Sequence, residues 1–331
     1  MIQPIQILIV RLNVSHCYGP KKVEFDVDEL IVLCLVKNGE LYIKSFIEHY
    51  FSLGAKHIVL LDNNSTDNTL TIAQNYPSVT ALQTKLSFKY FKLAMRLYLI
   101  RRFGKGRWSL IVDIDELFDY PYSDVITLRS LLTYLNSKSF TAVVAHMLDM
   151  FSDKPLSSIT STKYDSLKEL YRYYDISPII KMDYYYRRNL VGDKIKLLFG
   201  GITTAVFGTD YEPGIILSKH PLVFLDNKLI PLYLNEHGVR NATIADFTCV
   251  LFHYKFLGNF YEYAVSAAKE GNYHKNSIVY KRYAKALRQN PNLQIIQKTS
   301  QKLNNANELI DNHFLVVSDD YLSWVQQNAA K

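Results

Sequence analysis

Four short apolar runs constrain this chain most: residues 31–36, 57–62, 79–83 and 108–113. The first, IVLCLV, is continuously apolar, as suits a strand buried on both faces of a parallel sheet. Segments of helical spacing separate the runs. In ELYIKSFIEHYFSLG, Ile43, Phe46, Ile47, Tyr50 and Phe51 share one face, and Gly54 supplies a stop. NNSTDNTLTIAQNYP offers a polar turn, Ser and Thr caps, a short helix and a terminating Pro77. A basic helix spans residues 88–103 and ends at Gly104. This alternation predicts an α/β fold, a mostly parallel sheet flanked by helices.

Beyond the fourth run, LRSLLTYLNS reads as a helix and TAVVAHMLDMF as a strand. Residues 152–235 mix short strands with loops, and residues 259–331 are helical in pattern, interrupted at Pro291. The expected division is an N-terminal strand (Ile7 to Val10) with lead-in over 1–28, a ligand-binding half over 29–150, a second half over 151–258 and a helical tail over 259–331. No window reaches the ~20 apolar residues that a membrane helix needs. Cys17, Cys34 and Cys249 are widely spaced and form no CxxC, so neither a disulfide framework nor a zinc site is expected. Reduced thiols fit a cytoplasmic location. A net charge of +7 favours an anionic partner but is too small to argue for nucleic acid. The basic faces, including Lys281, Lys285 and Arg288, admit peripheral contact with a membrane surface or an acidic glycan, with a solvated helix face as the alternative.

Candidate chemistry collects at the ends of the runs, where open α/β sheets bind ligands. At the first end stand Val36, Lys37, Asn38 and Glu40, which turn and cap chemistry also explains. At the second, Asp62 can accept hydrogen bonds from a base or ribose, while Asn63, Ser65 and nearby amides can meet a nucleotide. After the fourth come Asp113, Asp115 and Glu116. Two carboxylates at i and i+2 offer hard oxygens to Mg2+ or Mn2+. Glu116 reads as a supporting ligand or a helix-start charge. Lys85, Lys89, Lys92 and Arg96 form one stripe leading to the acids. The stripe is either a solvated face or, at Lys92 and Arg96, a means to reach a diphosphate or hold the acids.

The order CLVKNGE, LLDNNSTDNT, RWSLIVDIDELF resembles the nucleotide-binding half of the GT-A family-2-like glycosyltransferases over about residues 30–150. The later HMLDMF, FGGITTAVFG and LFHYKF segments are similar to one branch of that family. The resemblance implies a Rossmann-like GT-A fold, a nucleotide-sugar donor (a UDP-sugar by family habit), a glycan or lipid-linked acceptor and a divalent cation. It places Asp62 and its neighbours on the nucleoside. Asp113, Ile114 and Asp115 fall on the metal and pyrophosphate. Asn63 stands where many members carry Asp. It offers His253 as a third metal ligand or diphosphate contact, with Lys255 and His237 nearby and a backbone-satisfied strand histidine as the alternative. An inverting member needs a base. Asp149 is the first choice, with a pKa raised by burial, and Glu212 and Asp153 are rivals. The 184–188 segment and the FGG loop are expected on the acceptor side.

Two other readings remain open. LIVDIDEL also resembles the first motif of haloacid-dehalogenase-like phosphatases, with Asp113 as nucleophile, although three βα units precede it here. A non-catalytic sugar-nucleotide or glycan binder is the other.

Overall fold

The computed structural model describes residues 4–159, 167–186, 188–226, 237–271 and 274–329. In chain order the elements begin α1 (Pro4–Leu12), β1 (Ser15–Tyr18), β2 (Leu30–Val36), α2 (Glu40–Leu53), β3 (His57–Asp62), α3 (Thr69–Ala73), β4 (Val79–Gln83) and α4 (Phe88–Leu99). There follow β5 (Trp108–Asp113), β6 (Glu116–Asp119), α5 (Leu128–Ser137), β7 (Ala142–Asp149), α6 (Leu167–Leu170), β8 (Tyr173–Tyr174), β9 (Ile179–Asp183) and β10 (Lys196–Gly200). The chain continues through α7 (Gly201–Phe207), β11 (Ser218–Phe224), β12 (Ile244–His253), α8 (Phe260–Glu270), α9 (His274–Gln289), β13 (Gln301–Lys302), α10 (Glu308–Asp311) and α11 (Asp319–Asn328).

Nine strands form one sheet in the order β1-β4-β3-β2-β5-β11-β7-β12-β6. Strands β4, β3, β2 and β5 pair in parallel, as the four apolar runs predict, and β7 and β12 pair in parallel beyond them. Three strands run the other way: β1 against β4, β6 against β12, and β11 between β5 and β7. The fold is therefore α/β with a large, mostly parallel sheet. Two cores lie on its two faces. Leu30, Val32, Cys34 and Val36 face the larger, while Ile31, Leu33 and Leu35 face the smaller. Leu309, Phe314 and Tyr321 join the larger core, so the C-terminal segment packs on the sheet.

The helices follow local rules. Ile43, Phe46, Ile47 and Tyr50 are the buried face of α2, and Gly54 closes it at φ 104°. Thr127 caps α5 by accepting from Ser130 N–H, and Ser318 caps α11 by accepting from Tyr321 N–H. The stretch Ile7 to Val10 is a correction, since it belongs to α1 and the first strand follows at Ser15. Val10 is buried while Ile5, Leu8 and Leu12 are exposed, a one-sided burial that four consecutive apolar residues do not reveal. Cys17 is exposed, Cys34 and Cys249 are buried, and all three are free. No described helix is long and apolar enough to cross a membrane.

One contact ties α2 to the turn that carries the acids. Tyr50 Oη donates to the Glu116 carbonyl at 2.8 Å and accepts from Phe118 N–H at 3.0 Å. The neighbouring His49 Nε2 donates to the Phe118 carbonyl at 2.7 Å. Burial, then Lys168, lowers the His49 pKa to about 3, so this ring stays neutral. Tyr50→Phe keeps the ring but strands two buried backbone groups of β6. It should cost about 1–3 kcal/mol in urea unfolding, with little change in the far-UV spectrum.

Candidate functional site

The first two strand ends are laced together. Asp62 is fully buried. It accepts from Ser65 N–H and Gln83 Nε2, each at 2.9 Å, and from the Ser65 hydroxyl. Asn63 donates through Nδ2 to the Thr84 and Leu86 carbonyls, and its N–H donates to Val36 O at 2.7 Å. Asn38 N–H donates to Ser65 Oγ, and Asn38 Oδ1 accepts from Thr66 N–H. Glu40 accepts from Asn68, and Glu40 N–H donates to Asp67. A Cβ on Gly39 would stand 2.8 Å from Val36 Cγ2 and 3.1 Å from Ile114 Cγ1, so any other residue would push these side chains aside where the ends close up. Val36 is core, and Lys37 is exposed. The polar side chains expected on a nucleoside thus shape their own loops. Asp62 pairs in register with Val36, and Asp113 with Leu35. Because Leu35 and Val36 alternate, Asp62 and Asp113 leave the sheet on opposite faces.

The D-x-D acids part company. Strand β5 stops at Asp113, residues 114 and 115 lie in a turn, and β6 begins at Glu116. Asp113 is paired with Arg96 from α4, and Lys219 Nζ lies 3.9 Å from its other oxygen. Lys219 donates to Glu116 at 2.5 Å, and Glu116 accepts from Asp113 N–H at 3.1 Å, closing the turn. Burial opposes ionisation of Asp113, but Arg96, Lys92 and Lys219 hold its carboxyl well below the usual range. Burial and Arg96 push the Lys92 pKa down. The basic stripe therefore passes from solvent at Lys85 and Lys89 to the interior at Arg96. Of its two readings, holding the acids is what Arg96 does.

Asp115 turns to a second group. His253 Nε2 lies 3.3 Å from Asp115 Oδ2, and His253 Nδ1–H donates to Asp149 Oδ1 at 2.6 Å. Thr203 of α7 donates to Asp149 Oδ2 at 2.5 Å. The Asp115 carbonyl accepts from Tyr254 N–H at 2.8 Å. Burial alone would lower the His253 pKa, but Asp115 and Asp149 outweigh it and raise it from 6.5 to about 9. Burial likewise opposes charge on Asp149, yet Lys255, His253 and Thr203 hold its carboxyl well below the usual range. That is opposite to the upward shift expected of a base, because both oxygens accept charge-assisted or hydroxyl hydrogen bonds. Lys255 donates to Tyr283 Oη at 3.2 Å, and His237 Nδ1 lies 2.9 Å from Ser218 O. Glu212 and Asp153 are exposed.

The expected ligand set of Asp113, Asp115 and His253 is not assembled. Among the described residues no group of three or more His, Cys, Asp and Glu is arranged to hold a metal. Asp113 is drawn to Arg96 instead. Asp115 and His253 can serve a cation as a pair once the Nε2 proton is displaced, since the raised pKa otherwise makes the ring an imidazolium at neutral pH. Their 3.3 Å separation is close to the ~3 Å between adjacent ligand atoms on an ion with ~2.1 Å bonds. Asp149 meets Nδ1 in the manner of the carboxylates that orient metal-binding imidazoles.

The FGG loop does reach the site, because Gly200 (φ 87°) and Gly201 (φ 75°) turn β10 into α7 and so bring in Thr203. Tyr184 and Tyr186 gather instead on His220, with Tyr184 Oη 2.8 Å from its Nε2. Arg187 lies outside the described residues. Lys281, Lys285 and Arg288 are exposed along α9. Lys219 and Thr203 were not legible as site residues. A lysine next to His220 inside ILSKHPLVFL was the available signal for the first.

No protein-family model and no curated protein matches the chain. Solved structures match in part. TarS 1–349 from S. aureus is 18% identical, covering 38% of this chain and 40% of that one, with a TM-score of 0.30. Glucosyl-3-phosphoglycerate synthase from Mycobacterium tuberculosis, in complex with Mn2+, UDP and glucosyl-3-phosphoglycerate, is 15% identical, covering 36% and 44%, with a TM-score of 0.25. 4-Diphosphocytidyl-2C-methyl-D-erythritol synthase is 7% identical, covering 88% and 99%, with a TM-score of 0.28. The chain spans less than half the length of the first two.

The raised His253 pKa has a definite sign. Its stabilisation is fully present below pH 6.5, the ordinary value, and is lost as pH rises through about 9. The lowered carboxyls act at the other end, contributing above the ordinary carboxylate range and failing as pH falls. The melting temperature of the wild type relative to His253→Gln should therefore shrink between pH 6.5 and about 9. The His253 imidazole resonance should titrate near the upper value. A titration near 6.5 would show that the two carboxylates do not clamp the ring.

Proposed function

We propose that the chain is a GT-A type glycosyltransferase. It moves a sugar from a nucleotide-sugar donor, a UDP-sugar by preference, to a hydroxyl of a glycan or lipid-linked glycan, assisted by Mn2+ or Mg2+. The reading is supported chiefly by the division of charge along one sheet edge. Lys92, Arg96 and Lys219 gather round Asp113, beside the string Asp115–His253–Asp149. A departing nucleoside diphosphate gains negative charge as the glycosidic bond breaks. Fixed cations at that position stabilise the transition state without reorganising.

In this reading the three cations bind the diphosphate, and the laced loops of Asp62 and Asn38 form the rigid wall on which the nucleoside rests. Asp115 and His253 would hold the divalent ion, which when bound supplies Lewis-acid neutralisation of the leaving group. Asp149 is a positioning residue, fixing the Nδ1–H tautomer so that Nε2 faces Asp115. Thr203 secures the far oxygen of Asp149 and links the FGG loop to the same string. Phosphatase chemistry at Asp113 is disfavoured, since its carboxylate is held by Arg96 and Lys219.

Nucleoside diphosphates and their sugars, screened by thermal shift with and without Mn2+, should raise the melting temperature by mass action. Asp115→Ala should keep the far-UV spectrum at a somewhat lower melting temperature, lose donor turnover and lose the Mn2+-dependent part of the shift. Full activity in this variant, or no response to any nucleoside diphosphate, would overturn the assignment.

A further inference from the structure

A cavity of about 290 Å3 lies away from the acids, between the β9–β10 hairpin, the middle of β7 and the segment around Phe314. Lys181, Lys194 and Lys196 line it with His146 and His313, and no Asp or Glu is among the lining residues. The hairpin register explains the lysines. Lys181 pairs with Leu198, and Asp183 with Lys196, so alternation places all four on one face. Lys181 donates to the His313 carbonyl at 2.6 Å, which fixes one wall to the other. Lys196 meets Asp183 at 2.7 Å, but Asp183 is almost wholly exposed, and such a pair is worth little. Lys194 is exposed and has no ion-pair or hydrogen-bond partner among the described residues.

The inner end of the cavity is built. His146 is only 2% exposed and packs edge-on against Phe314, with ring centroids 5.6 Å apart. Ser218 Oγ accepts from Leu198 N–H at 2.7 Å and lies 3.0 Å from His146 Nδ1. With the hydroxyl hydrogen directed at Nδ1, the imidazole carries its own hydrogen on Nε2, a tautomer assigned from these partners. Burial, then Lys181 and His220, lowers the His146 pKa to about 3, so the ring stays neutral and offers one N–H. The cavity thus combines three ammonium groups, a neutral imidazole and an apolar wall.

We propose that this cavity binds a small phosphomonoester, its head among Lys181, Lys194 and Lys196 and its organic body against Phe314. Three ammonium groups with one surface carboxylate to answer them call for more than a single negative charge. A phosphomonoester carries about −1.5 to −2 at neutral pH, with several strong acceptors. The volume is at the lower end of the roughly 300–1,000 Å3 of ligand sites, which suits a single ring or short chain. The phosphomonoester can be a soluble metabolite or the head of an anionic lipid. The inference does not rest on the transferase reading.

Glycerol 3-phosphate titrated calorimetrically into the whole chain tests the soluble form. Sedimentation with phosphatidylcholine vesicles, with and without phosphatidic acid, tests the lipid form. Binding in either arm is expected. The double variant Lys194→Met, Lys196→Met should weaken it by roughly tenfold or more, whereas Lys194→Arg, Lys196→Arg should retain it. Both lysines reach solvent, so the unliganded melting temperature should be unchanged, as should sugar-nucleotide turnover. Absence of binding in both arms, or an affinity unchanged in the Met variant, would overturn the proposal and leave the sheet-edge reading untouched.

Discussion

The carboxylates of Glu116 and Asp149 are almost withdrawn from water, and those of Asp113 and Asp115 mostly so. Ionised groups so placed cost several kcal/mol each unless a cation or several donors answer them. Here every answer comes from a different element: Arg96 from α4, Lys219 from β11, His253 from β12 and Thr203 from α7. Residues as far apart in sequence as Asp115 and His253 are therefore held in one arrangement by the need to match charge. Hydrophobic burial brings the sheet together, but it is indifferent to which polar side chains meet at the edge. The ion pairs supply that selection, because losing one partner leaves the other charged and buried.

The parallel block was legible because its strands are short, mainly apolar runs, IVLCLV without interruption, separated by segments of helical spacing with stops such as Gly54. Ile7 to Val10 was not, since so short an apolar run carries no period of its own. Strand β11 was hidden for a different reason. Pro221 lies inside SKHPLVF, and proline removes a ladder donor, so the rule for strands points to an edge. The sheet tolerates it at the centre by breaking register between Lys219 and Leu222 on the β7 side. Missing β11 meant missing Lys219, and with it the reason Asp113 faces away from a shared ligand.

The D-x-D reading shows how local spacing and backbone path interact. Two residues at i and i+2 share a face only while the strand continues. Strand β5 ends at the first acid, and Glu116 then ties the turn by accepting from Asp113 N–H, so Asp115 leaves in another direction. The acids at 113 and 115 are close in sequence yet serve separate partners. The same logic applies to Asp62, which by position reads as a nucleoside contact and whose carboxylate accepts from Ser65 and Gln83 in shaping its own loop.

The antiparallel placement of β11 adds a strand-borne cation to this edge. In a purely parallel sheet the ligand-facing edge is made of strand C-termini and the loops that follow, so a cation must arrive on a long side chain from a helix, as Arg96 does. A strand running the other way begins at that edge. Lys219 therefore stands on a ladder paired to β5 and β7, with its stem buried and its ammonium fixed between Asp113 and Glu116. A charge anchored in this way would not need to be ordered on binding the diphosphate of the proposed reaction, and that saving distinguishes a preorganised site from a basic surface. The cost is a buried lysine that Glu116 and Asp113 help to make tolerable. The turn carrying the acids and the irregular strand carrying the lysine thus depend on each other.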